Sequence, residues 1–154
     1  MRRWRGLVLG AVLLTVLSGC SATPEVDPDA VQEWMATQDS TAVPGSLAGM
    51  TGLASALSDS VGGGGVTVSF AEPHPVSTVL FACFGPETMS ADVTLARVDA
   101  DDATTTQTIR TDDLICDGEP QGIEMTSDAA TTVTTKGLST DAVGAWSAVV
   151  MGEG

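Results

Sequence analysis

The chain has 154 residues, and the 135 that follow position 19 suit one domain with a hydrophobic core rather than two. Those residues carry three basic side chains and all 20 acidic ones, a formal charge of −17. A surface of this charge excludes nucleic acid as a partner, and it is repelled by an anionic membrane face. The chain also has no Asn, no Tyr and one Lys, a bias typical of a high-GC genome. That bias and solubility explain the acidity without requiring a role in cation capture.

The first 20 residues have the layout of an export signal. Residues 1–5 contain three arginines, and an uncharged apolar run of 11 residues follows at 7–17. This run is too short to span a bilayer, which takes about 20 residues, but it suits the core of a signal peptide. An aliphatic residue and two small residues then precede a cysteine, in the sequence Leu17-Ser18-Gly19-Cys20. These four residues resemble the lipobox of bacterial lipoproteins.

The resemblance implies that Cys20 receives a diacylglyceryl group and becomes the first residue of the mature chain once residues 1–19 are removed. We therefore expect a protein held at the extracytoplasmic face of the cell membrane, with the lipid bilayer as its partner through acyl chains on Cys20. Arg2-Arg3 also raises the twin-arginine export route, but the residues after the pair are not apolar, and general secretion is favoured. In general layout the chain resembles the small uncharacterised lipoproteins of actinobacteria.

The other two cysteines are predicted to pair with each other. Cys83 and Cys116 form an even pair in an oxidising compartment once Cys20 carries lipid, and we expect a disulfide between them. The bond closes a loop of about 34 residues, worth on the order of 3.8 kcal/mol in the chain-entropy model. Two buried free thiols are the alternative. A metal site is disfavoured, because the pair lacks CxxC spacing and a nearby histidine.

A tether and two helical patterns come after the lipobox. Residues 20–27 are polar and acidic, and Asp27-Pro28 is typical of a helix start, with an N-cap acid before a proline. Apolar residues at helical spacing predict a helix over 28–38, with Trp34 as its packing anchor. A second apolar stripe predicts another helix ending near residue 61, formed by Leu47, Met50, Ala54, Leu57 and Val61.

A glycine tract at 62–65 separates the helical patterns from the rest of the chain. We interpret it as a flexible joint between a helical segment at 28–61 and a separate β domain at 66–154. Beyond it, short alternating or apolar runs recur every 8–12 residues between Gly, Pro and Asp turns, which predicts an antiparallel β-sandwich. The chain has no Trp between Cys83 and Cys116 and no Tyr, so the choice between a jelly-roll-like and an immunoglobulin-like sandwich stays open.

Two features of the β region are candidate binding sites. Asp99, Asp101 and Asp102 form the densest acidic cluster, and extracellular calcium sites use such carboxylates from turns. The cluster lacks EF-hand spacing, and a solvated hairpin turn is the alternative. Trp146 is a candidate platform for a sugar ring, but it lies in an apolar run and is more simply a core residue. Exposure of its ring distinguishes these two interpretations.

Catalytic motifs are missing from the sequence. His74 is the single histidine, it lies between two prolines, and no nucleophile signature accompanies it. The sequence therefore predicts a non-enzymatic, membrane-anchored lipoprotein that binds a ligand or an envelope partner, with no cofactor except calcium if the acidic cluster holds it. A calcium-dependent or carbohydrate-binding surface module is the first alternative. A carboxylate-dependent hydrolase is the second, although no spacing singles out a pair of acids.

Overall fold

A computed structural model describes residues 26–60, 65–141 and 143–152. The predicted signal segment, lipobox and Cys20 lie outside the described residues, as does most of the predicted glycine joint. The described chain is mainly β and forms one six-stranded sheet preceded by a short helix, consistent with the predicted β-sandwich. Its elements are α1 (Pro28–Ser40), β1 (Ser46–Leu53), β2 (Ser55–Ala56), a 3-10 turn (Leu57–Ser60), β3 (Val66–Val98), β4 (Thr104–Asp117), β5 (Gln121–Ser139) and β6 (Ala145–Gly152). None of the helices in these ranges has the length and apolar character needed to cross a bilayer.

The predicted first helix is confirmed, and it ends at Ser40 rather than at residue 38. The Asp27 carboxylate caps it by accepting a hydrogen bond from the backbone N–H of Asp29 at 2.9 Å, and Pro28 opens the first turn. The helix packs on β1, β3 and β6. Trp34 stacks on Phe84 of β3 with ring centroids 5.8 Å apart, so its predicted role as a packing anchor is also confirmed.

The predicted second helix is wrong, because residues 46–53 form β1. This strand pairs antiparallel with β6, with Thr51 opposite Ser147 and Gly52 opposite Trp146. Two glycines had already weakened the helical pattern, by about 1 kcal/mol each relative to alanine. Pairing with the last strand of the chain decides the outcome, and local spacing carries no information about that partner. The predicted division into two separate units is wrong for the same reason, since β1 belongs to the same sheet as β3 and β6.

The long strand β3 organises the sheet because it changes partners along its 33 residues. Its residues 66–69 pair with 132–135 of β5, and its residues 76–84 lie beside β6. Its residues 88–98 pair with β4, and 90–96 of this stretch also pair with β5. Successive segments of β3 and β5 therefore pair with different neighbours, as strands at the corners of sandwiches do.

Two turns predicted from proline and glycine are irregularities within β3. The predicted rigid turn at 72–75 lies where the pairing register shifts between Ser69 and His74. The predicted turn at Gly85-Pro86 lies where the register with β4 shifts between Phe84 and Thr88. Gly85 adopts a φ of +114°, a conformation that glycine takes without a steric penalty. Bulges of this kind let a strand bend without ending.

The buried side chains of the strands form one apolar core, and the predicted disulfide is part of it. Cys83 and Cys116 are bonded with an S–S distance of 2.06 Å, which joins β3 to β4 and confirms the pairing. Cys83 is fully buried, among the side chains of Phe81, Met89 and Trp146 in the same apolar cluster. The disulfide therefore fixes the edge strand β4 onto the centre of the sheet.

Candidate binding groove

An apolar groove opens at the N-terminal end of α1. It has a volume of about 320 Å³ and is lined by Val26, Pro28, Val31, Gln32, Leu53, Ala54, Val143 and Gly144. None of these lining residues is charged, although the chain after position 19 has a formal charge of −17. The groove, which we call the α1 groove, is therefore an uncharged surface on an acidic domain.

Three elements meet to form the α1 groove. Pro28 starts α1 so that Val31 points inward and is buried. At the end of β1, the backbone N–H of Ala54 donates to the carbonyl of Gly144 at 2.9 Å, which holds that chain end against the start of β6. On the opposite side, the backbone N–H of Val143 donates to the Ser139 hydroxyl at 3.1 Å. The walls are thus fixed by backbone hydrogen bonds rather than by side-chain packing alone.

Leu53 at the rim is the unusual residue of the α1 groove. It leaves 60% of its surface exposed, although it ends a strand whose other large apolar side chains face the domain. A single exposed leucine is ordinary in a soluble protein, but one beside an uncharged apolar groove is typical of a binding surface. Covering the part of this side chain that is still exposed stabilises a complex by about 1–2 kcal/mol.

A second cleft, next to the α1 groove, contains two carboxylates. It has a volume of about 270 Å³ and is lined by Val26, Gly85, Pro86, Glu87, Thr88, Thr140 and Asp141. The Asp141 carboxylate accepts hydrogen bonds from the Ser139 hydroxyl at 3.1 Å and from the backbone N–H of Val143 at 3.3 Å. These bonds assign Asp141 to the turn between β5 and β6, where it supports the wall of the α1 groove.

The predicted calcium site is not formed by the three carboxylates of the acidic cluster. Asp99 is bound by Arg97 at 3.1 Å and by the Thr105 hydroxyl at 2.6 Å, while Asp101 accepts a hydrogen bond from the backbone of Ala103 at 3.4 Å. Within the described ranges, no three Asp, Glu, His or Cys side chains come together as a group that could hold a metal ion. The cluster is the hairpin turn between β3 and β4, which was the alternative interpretation.

Trp146 is a core residue, which is the interpretation that its apolar run favoured over a sugar platform. Trp146 is 1% exposed, stacks on Phe81 with ring centroids 6.0 Å apart, and donates its indole N–H to the carbonyl of Leu53 at 3.1 Å. Its ring therefore supports the rim of the α1 groove from within the core. His74 packs its ring edge-on against Phe70 at 5.5 Å.

A short chain of charges crosses the outer face of the sheet. Arg110 of β4 lies 3.0 Å from Asp112 and 3.8 Å from Asp92 of β3. The pKa of Asp112 is lowered by a hydrogen bond from the Ser90 side chain and by a second one from Arg110. The hydrogen bond to Asp112 likewise raises the pKa of Arg110. Arg110, one of the three basic residues after position 19, is thus held by ion pairs on β4 and β3.

Sequence reasoning did not find the α1 groove. Leu53 lies outside the apolar stripe that predicted a helix. Val143 follows Leu53 by 90 residues along the chain. The available signal was an apolar residue directly after a glycine at a strand end, which is too common to single out a site. No protein-family model, curated protein or solved structure matches the chain.

Proposed function

We propose that the protein is a membrane-anchored extracytoplasmic lipoprotein whose β domain acts without catalysis as a binding module for an envelope partner. The observation that carries this proposal is how the two described cysteines are used. Cys83 and Cys116 are bonded to each other, which leaves Cys20 of the lipobox for lipid. A structural disulfide is also the expected state of a cysteine pair in an exported protein.

The α1 groove is the surface that we assign to the partner. Val26 lines it and lies six residues after Cys20, and six extended residues span at most about 20 Å. The groove therefore stays close to the membrane surface on an anchored chain. Anionic lipid repels a domain with this charge, so the partner is a protein segment with an apolar side chain for the groove and basic residues around it.

Metabolic labelling tests the anchor. Cells that produce the full chain are fed a fatty acid that carries a clickable group, and the wild-type protein is expected to take up label and to sediment with membranes. The Cys20→Ala variant is expected to lose both properties. If that variant keeps its label and its place in the membrane fraction, the chain is not a lipoprotein anchored at this residue.

Photo-crosslinking tests the groove, with a control of equal exposure. A photo-reactive amino acid replaces Leu53 in one variant and Ile115 of β4 in the other, which are 60% and 59% exposed. Irradiation of intact cells is expected to join a defined envelope protein to the position of Leu53 and not to that of Ile115. Identical adducts at both positions would show that exposure alone, and not the α1 groove, determines the contacts.

Neither alternative function gains a specific observation of comparable weight. The sugar-binding alternative depended on an exposed Trp146, and that ring is buried. The calcium alternative depended on the acidic cluster, whose carboxylates serve the hairpin turn. For the hydrolase alternative, Glu87 and Asp141 share a cleft, but the hydrogen bonds of Asp141 assign it to a turn.

A further inference from the structure

The strand β4 is an open edge of the sheet. Among the described residues its only partner strand in the sheet is β3, and its residues 104–108 are all exposed. The described hydrogen bonds to another strand lie further along, where the Gln121 side chain of β5 binds the backbone of Ile115. Natural edge strands are blocked against further pairing by charges, prolines or bulges. The run 104–109 reads TTTQTI and contains none of the charged, proline or glycine residues that would block it. The charges of β4 begin only at Arg110.

A row of threonines runs across the outer face of the sheet and ends at this edge. The row crosses four neighbouring strand segments, two of them from β3, and consists of Thr67, Thr134, Thr94 and Thr108 in register. Two pairs within the row are hydrogen-bonded through their hydroxyls, Thr67 with Thr134 at 2.8 Å and Thr94 with Thr108 at 2.9 Å. Cross-strand threonine pairs of this kind stabilise sheets. At β4 the row stops. Every second residue from Thr104 to Thr108 is a threonine, and no strand of the described part of the chain lies beyond them.

We infer that the β4 edge binds a second copy of this chain, antiparallel, about a two-fold axis at Thr106. An axis perpendicular to the sheet keeps the same face outward in both copies, so the interface uses the same residues twice. Thr106 then lies opposite Thr106 of the second copy, and Thr104 lies opposite its Thr108. The threonine row continues through the junction into the second sheet.

Threonine pairing favours this register over its neighbours. With the axis at Thr106, each of the three threonines at 104, 106 and 108 lies opposite a threonine of the second copy. With the axis at Gln107, Thr104 lies opposite Arg110 instead, whose guanidinium is already bound to Asp112 and Asp92 of its own chain. Threonine pairs directly across two strands stabilise their pairing.

The contact is small, so the dimer depends on how the chains are held. A single pair of short strands buries less than the roughly 1,200 Å² of a stable interface. Anchored chains share a surface and a common orientation, which raises their effective concentration. This last step rests on the proposed lipid anchor, whereas the pairing geometry does not.

Cysteine crosslinking of the full chain tests both the surface and the register. Residues directly opposite on antiparallel strands have Cα atoms about 4.5–5.5 Å apart, within the range of a disulfide. Under mild oxidation of isolated membranes, Thr106→Cys is expected to give a reducible dimer. Thr104→Cys and Thr108→Cys each place their two cysteines about 13 Å apart along the strands and are expected to give several-fold less dimer. Membranes that contain both of these variants are expected to give the mixed dimer.

Three outcomes would overturn the inference. Equal dimer from all three single variants would indicate random collision, and no dimer from Thr106→Cys would show that the edges do not meet. A reducible adduct of another size would identify a different occupant of the edge. Fractionation of the same samples separates this result from the anchor: a chain found outside the membranes contradicts the proposed anchor, and its crosslinking pattern is then measured in the concentrated soluble fraction.

Discussion

Replacing Thr135 by valine is expected to stabilise the protein. Thr135 is fully buried on β5, and its hydroxyl has no hydrogen-bond partner among the described residues. Its neighbours in register are Val66 and Val93, both apolar. Valine has nearly the same shape as threonine, so Thr135→Val removes the polar atom without opening a cavity.

The magnitude follows from the cost of leaving a buried polar group unpaired. That cost is about 1–3 kcal/mol, and part of it is recovered when a methyl group takes the place of the hydroxyl. We expect the free energy of unfolding to rise by about 1 kcal/mol, which raises the melting temperature of a domain of this size by about 4 °C. Urea unfolding at neutral pH, with the disulfide oxidised, measures the change.

The adjacent residue provides the matched control. Thr134 points to the outer face and shares a hydroxyl hydrogen bond of 2.8 Å with Thr67, so Thr134→Val breaks a bond that exists. It is expected to lower stability by about 0.5–1 kcal/mol. If Thr135→Val proves less stable than the wild type by a similar amount, the hydroxyl of Thr135 has a partner and the reasoning is refuted.

Three further experiments test other parts of the fold. Gly52→Ala is expected to lower the free energy of unfolding by over about 2 kcal/mol, because a Cβ there would lie 2.6 Å from the core tryptophan ring. Gly49→Ala is the control: its Cβ meets nothing within 4 Å, so it is expected to be near neutral in urea unfolding. Replacing Cys83 and Cys116 by serine is expected to lower the unfolding free energy by on the order of 3–4 kcal/mol, and an unchanged urea midpoint would refute this. The lowered pKa of Asp112 stabilises the fold above its ordinary value of 3.8, so the stability difference between wild type and Asp112→Asn should vanish as pH falls through the folded-state value; a difference that persists in acid would argue against it.

The sequence predicted elements correctly where a feature depends on the residue itself and its near neighbours in the chain. Asp27 and Pro28 predict the start of α1, because an N-cap acid and a proline act within a single turn. The disulfide was predictable because assigning Cys20 to the predicted lipobox leaves an even pair of cysteines. The alternation of β3 near Val93 was equally plain, since one face of that strand packs in the core and the other does not.

Local rules failed where a distant partner decides. The stripe through Met50 fits a helix, but the residues pair with β6, about 100 positions later, and the Trp146 ring occupies the space beside Gly52. The α1 groove escaped prediction for the same reason, since its walls come from three separate parts of the chain. The continuity of β3 through His74 was also hidden, because prolines beside it are typical of turns and here accompany a register shift.

Mass spectrometry of the N-terminal peptide from membrane-purified protein tests whether Cys20 carries the lipid anchor. We expect residues 1–19 to be absent and the first residue to be Cys20 with a diacylglyceryl group on its sulfur. A peptide that retains residues before Cys20, or one that begins at Cys20 with an unmodified thiol, would contradict the claim that this domain is a lipid-anchored module.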